Sequence, residues 1–143
     1  MKLLLSAAFA LVLSASAIAA PGPTIVTPGS IHWMAGTGVE KGTQVAILTG
    51  DPGKAGAYAV RIRMPDGYTF APHWHGTTEN VTVLQGTLLV GLGDKLVPAD
   101  KMVALPAGSY VSVPVGLHHF ARAKGVTILQ LTGMGPMSDN LVK

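Results

Sequence analysis

The 143-residue chain contains no cysteine, which excludes both a disulfide framework and any metal site built on thiolates. Charge is also scarce, at 12% of residues, and the formal excess is only +3. The basic residues are scattered, with Arg61 and Arg63 the nearest approach to a cluster. Nucleic-acid-binding surfaces carry a stripe of positive charge, so no nucleic-acid partner is expected. No apolar pattern holds a 3.6-residue period for three turns, which argues against a helical domain. Beyond the first 20 residues no apolar run is long enough to cross a membrane.

That first segment is the exception. Lys2 supplies a positive charge ahead of the apolar stretch Leu3 to Leu13, and Ala17-Ile18-Ala19 offers the small residues that a signal peptidase reads. Residues 1–19 are therefore expected to be a signal peptide, cleaved after Ala19. The expected address is periplasmic or secreted, with no stable membrane span after cleavage. Residues 20–36 are expected to form an extended arm, since Pro21 to Ser30 is rich in Pro, Gly and Thr. Residues 37–143 are expected to form one domain with a single core.

Within that domain, short runs rich in Val, Ile, Leu and Tyr alternate with turn residues. They predict strands over Thr43–Leu48, Ala57–Met64, Asn80–Leu84, Thr87–Leu92, Tyr110–Val113, His118–Ala123 and Thr127–Leu131. Gln85-Gly86 reads as a turn between two of them, and only Pro98 to Leu105 could hold a helical turn. Many short strands imply an all-β sandwich or barrel. In the run Tyr58 to Met64, period-two geometry sends Tyr58, Val60, Ile62 and Met64 inward and both arginines outward.

Five histidines are present. His73 and His75 share a face if the chain is extended, with Trp74 opposite, and Glu79 returns to that face at even spacing. Two imidazoles and a carboxylate converging inside a barrel are hard to explain as packing, because a buried carboxylate needs a partner or a metal. His118 is expected on the outer face, and His32 at the surface. Phe70 and Phe120 read as core, with either able to border a pocket.

These residues also spell two family signatures. Gly67-x5-His73-x-His75-x3-Glu79-x6-Gly86 resembles the first cupin motif, and Gly108-x5-Pro114-x-Gly116-x2-His119 resembles the second. The resemblance implies a small jelly-roll cupin β-barrel whose metal ligands are His73, His75, Glu79 and His119. The implied cofactor is one divalent transition metal, with Fe, Mn, Ni, Cu and Zn all compatible with three imidazoles and a carboxylate. One departure is that an Asn the family often carries after the last ligand histidine is here Ala123. Single-domain cupins also tend to pair, so a homodimer is expected, with the N-terminal arm able to cover a sheet edge.

Function stays open at this level. A metal with open positions suits an enzyme of oxygenase or isomerase type, acting on a small apolar or aromatic oxygen-bearing substrate. The expected cavity wall is Val60, Ile62, Met64, Val81 and Val83, and Tyr58 and Gln130 are the inward polar candidates. The alternative is a non-catalytic module of the cell envelope that binds a metal or a small ligand. A third possibility is a metal that only stabilises the fold.

Overall fold

The computed structural model describes residues 22–143, so the expected signal peptide, residues 1–19, lies outside the described residues. The described chain is all-β and forms a jelly-roll barrel from nine strands. In order these are β1 (Met34–Ala35), β2 (Gln44–Thr49), β3 (Gly56–Met64), β4 (Thr69–His75), β5 (Glu79–Leu92), β6 (Val103–Pro106), β7 (Tyr110–Val113), β8 (His119–Gly135) and β9 (Asp139–Leu141). Single 3-10 turns occupy Pro28–Ser30, Gly38–Glu40 and Ala99–Lys101. No helix among the described residues is long and apolar enough to cross a membrane.

The two long strands β5 and β8 organise everything else. They pair antiparallel from Glu79 opposite Gly133 to Leu92 opposite His119. On its other edge β8 holds β3 and β4, while β5 holds β7 and β6. Strand β2 extends β3, and the C-terminal β9 closes on β4. All pairings are antiparallel, as expected where hairpins and long returns join the strands.

The alternation in β3 puts Tyr58, Val60, Ile62 and Met64 inside, all at 5% exposure or less. They meet Val81 and Val83 of β5 and Leu129 and Leu131 of β8 in the main core. Arg61 points outward and donates from Nε to Gln130 Oε1 at 3.1 Å, in register across the β3–β8 pair. Gln130 is thus on the outer face, which corrects its expected inward role. The register that pairs it with an outward arginine settles its side.

Gln85-Gly86 is not a turn between strands but a bulge within β5. Before it the odd residues Glu79, Val81 and Val83 face inward; after it the buried Leu88 and the half-buried Val90 do. One extra residue shifts the phase of the pleat, which lets a single strand line both halves of the barrel. Gly86 has φ 73°, and a Cβ there would lie 2.6 Å from the Val126 carbonyl oxygen, so the bulge calls for glycine. Strand β8 likewise runs through the expected break between Ala123 and Thr127. The Pro98 to Leu105 segment holds only the short 3-10 turn before β6 begins.

Phe120 is fully buried, but on the opposite face of β8 from His119. It packs with Leu89 and Met102, and the absent side chain of Gly91 directly across the ladder makes room for its ring. Ala123 is part of the main core. The segment leading into β4 is held there by backbone bonds, Ala123 N to Tyr68 O at 2.9 Å and Gly67 N to Ala123 O at 3.0 Å, with Gly125 N donating to Asp66 Oδ1 at 2.7 Å beside them.

Candidate metal centre

Strand β4 carries a register shift between Phe70 and His73, so Phe70, His73 and His75 all reach the same interior despite their mixed parity. His73 sits directly opposite His119 of β8. The two ring centroids are 4.3 Å apart, and His75 lies 4.9 and 5.0 Å from them. One ligating nitrogen from each of the three falls within 4.8 Å of the others, and all three residues are buried. Three buried imidazoles at this spacing could hold a metal ion.

The hydrogen bonds fix which nitrogen is offered. His73 Nδ1 donates to Ala71 O at 2.7 Å, and His119 Nδ1 donates to Leu117 O at 2.9 Å. His75 Nδ1 lies 3.2 Å from Ser138 O and 3.0 Å from Asp139 Oδ1. A carbonyl or carboxylate partner requires a proton on Nδ1, leaving each Nε2 free to ligate when the ring is otherwise unprotonated. His75 Nε2 is buried without any hydrogen-bond partner. An orphaned nitrogen of this kind is costly unless something ligates it, so the residues present fit a metal.

Glu79 is buried on the same cavity, with Oε2 3.5 Å from His75 Nε2. It is not part of the mutually close set formed by the three histidines. Burial holds the pKa of His73 and of His119 below the ordinary histidine value. Burial acts the same way on His75, but the carboxylates of Asp139, 3.0 Å from Nδ1, and of Glu79 outweigh it and push the group up to about 10. A metal arriving at Nε2 would displace that proton.

Asp139 and Glu40 line the same cavity, and sequence reasoning missed both. Asp139 arrives on β9, directly opposite His75. Glu40 arrives on the Gly38–Glu40 turn, and no spacing rule links either residue to the histidine motif. The chain has only two glutamates, Glu40 and Glu79, and both line this cavity, which is the one signal composition could have offered.

The cavity itself is small, about 50 Å³, and its wall is mostly aliphatic. Ile62 and Val81 line it as expected, together with Phe70, Leu88 and Leu131. Val60, Met64 and Val83 are buried but do not line it, which corrects their expected role in the wall. Tyr58 also stays out of the cavity: its hydroxyl bonds Met137 Sδ at 3.2 Å, and burial, then the charges of Glu79 and Asp139, push its pKa up to about 12. Outside the barrel, His118 stacks on Trp74 with ring planes 21° apart and pairs with Asp94 at 2.6 Å. His32 is exposed.

Glu40 is pushed up to about 7, first by burial and then by the charges of Asp139 and Glu79. An acid whose pKa is raised by folding costs nothing while both states are protonated. The cost appears as pH rises past the unfolded value of 4.5 and is complete above about 7. Metal-free Glu40→Gln is therefore expected to match the wild type at pH 4 and to exceed it at pH 8 by about 1–2 kcal/mol, after discounting for solvent screening of the exposed part. Urea unfolding at the two pH values measures this, and an equal difference at both would reject it.

This architecture is that of a small single-domain cupin, and solved cupins share it. A RmlC-like cupin from Shewanella frigidimarina superposes with a TM-score of 0.60 at 20% identity, covering 79% of this chain and 91% of its own. The polyketide cyclase RemF from Streptomyces resistomycificus gives 0.65 at 16%, covering 83% and 84%. The DMSP lyase DddQ from Ruegeria pomeroyi gives 0.59 at 18%, covering 79% and 61%. No curated protein sequence matches the chain. More particularly, residues 26–137 match the family model DUF4437, a domain of unknown function, and the chain belongs to that family.

Proposed function

We propose that the protein is an exported metal-dependent enzyme of oxygenase or isomerase type, acting on a small apolar or aromatic compound that carries oxygen. The observation that supports this best is the convergence of three buried histidines, each with Nδ1 tied down, on a cavity with no lysine or arginine in its wall. His73, His75 and His119 would hold the metal, with Glu79 as the fourth ligand. The metal would supply Lewis acidity, or dioxygen chemistry if it is iron.

The chain's own residues do the remaining work. The aliphatic wall excludes water and favours an apolar group. A volume of about 50 Å³ admits only the reacting end of a ligand, well below the roughly 300–1,000 Å³ of a drug-sized pocket. A polyanion would find carboxylates rather than cations around it, since Glu40, Glu79 and Asp139 all line the site. A cyclase and a lyase built on this fold support small-molecule chemistry as the use of such a barrel. The small volume also favours a second reading, a non-catalytic module that binds a metal or small ligand in the cell envelope.

The test is the metal content of protein expressed with its leader and recovered from the envelope compartment, where the mature chain should begin at Ala20. About one equivalent of iron, manganese, nickel or copper is expected, followed by turnover of a phenol or enol in a substrate panel. Full occupancy with silence across the panel would favour the binding module. A metal-free protein that takes up no ion on addition would sink the enzyme reading and the ligand assignment, and leave a barrel that binds a small ligand without metal.

A further inference from the structure

The cavity holds a carboxylate that neither the ligand set nor the aliphatic wall accounts for. Glu40 comes from a turn whose backbone is pinned from two sides. Thr43 donates to Glu40 O from its backbone nitrogen at 2.9 Å and from its hydroxyl at 2.8 Å. Tyr68 donates its hydroxyl to Val39 O at 2.8 Å. Gly36 leaves room for this arrangement, since a Cβ there would overlap the Glu40 carbonyl oxygen. Thr43 is 5% exposed, so the anchor is buried rather than frayed. The effect is to fix Val39 and Glu40 against the cavity.

The Glu40 carboxylate has no hydrogen bond or ion pair with any described residue. The titratable groups sharing its cavity are Glu79 on β5, His73 and His75 on β4, His119 on β8 and Asp139 on β9. Tyr68, beneath the turn, is raised by burial and by the Glu40 charge. A carboxyl group whose backbone is pinned against the cavity, and which has no hydrogen bond or ion pair to any described residue, lacks a structural partner. The geometry points to Glu40 as the group that takes the hydroxyl proton of a ligand seated in this cavity, a role that rests on the metal-centre reading above. Burial of the carboxyl group strengthens its hold on a proton, which suits such a task. The ligand class is accordingly a neutral hydroxyl compound such as an enol, a phenol or a hydroxamic acid.

Zinc-loaded wild type, Glu40→Gln and Glu40→Asp can be compared by calorimetry with acetohydroxamic acid as the probe, in buffers of different ionisation enthalpy. On binding, the probe's hydroxyl oxygen keeps its electron pair and gives up its proton, which passes either to Glu40 or to the buffer; nothing is oxidised. At pH 7.5 Glu40→Gln should release about one proton per probe bound, and the wild type well under half of that. Glu40→Asp should fall between them. Equal release from wild type and Glu40→Gln overturns the proposal, as does failure of the loaded wild type to bind the probe. Loss of zinc binding in Glu40→Gln overturns it too, because the carboxylate would then be a ligand. A wild type that takes no zinc at all reports instead the failure of the metal-centre reading itself.

Discussion

Replacing His75 with alanine is expected to remove most of the stabilisation that a divalent metal gives this protein. A metal supplied at a thousandfold excess over its dissociation constant adds about 4 kcal/mol to the stability of the form that binds it. For a domain of this size that corresponds to a rise in melting temperature of roughly 12–20 °C. His75 is the most deeply buried of the three converging histidines, at 2% exposure, and its Nε2 has no hydrogen-bond partner. Two histidines left without the third should bind at least about 100-fold more weakly, beyond the loss typical of outer-shell changes. His118→Ala is the control, because His118 lies outside the barrel against Trp74 and Asp94. Thermal unfolding with and without zinc separates the cases. Equal metal-induced shifts in wild type and His75→Ala would place the ion elsewhere.

The second expectation concerns the C-terminal strand. Asp139→Asn should lower metal affinity by about 10–100-fold while leaving the fold intact. The aspartate accepts from His75 Nδ1 at 3.0 Å, which orients the ring, and its charge makes the opposite nitrogen a better donor. Asparagine keeps an acceptor and removes the charge, so the electrostatic part is isolated; Asp139→Ala removes both and should cost more. Asp139 is partly exposed, with 26% of its side chain accessible, so either change should be tolerated by the core. Competition titration against a chromogenic chelator reads the affinity directly. If Asp139→Ala binds as tightly as the wild type, the Ser138 carbonyl alone holds the ring, and β9 contributes nothing to the centre.

Asp139 marks where sequence reading stops. The inward row of β3 was legible because side chains alternate along a strand whatever it pairs with. The opposition of His119 and His118 followed from the same rule, and the motif spacing singled out His73, His75, Glu79 and His119. The β5 bulge was not legible as such. Gln85-Gly86 carries the composition of a turn, and whether the chain reverses there or merely shifts phase depends on β8 running past it on one edge. The position of Gln130 failed for the same reason, since its side was set by pairing with Arg61.

By itself, then, the sequence determined what local geometry can carry: an all-β chain, its alternating faces, and a histidine motif on one extended segment. Only the tertiary structure decided which distant groups complete the site. Asp139 meets His75 because β9 closes on β4, with Ser138 bonding a ring 63 residues earlier in the chain. Glu40 reaches the same cavity because Tyr68 and Thr43 pin a short turn against it. The physical reason is one of range. Period-two alternation is a property of a few consecutive residues, whereas closure of a barrel fixes contacts between segments that share no local pattern.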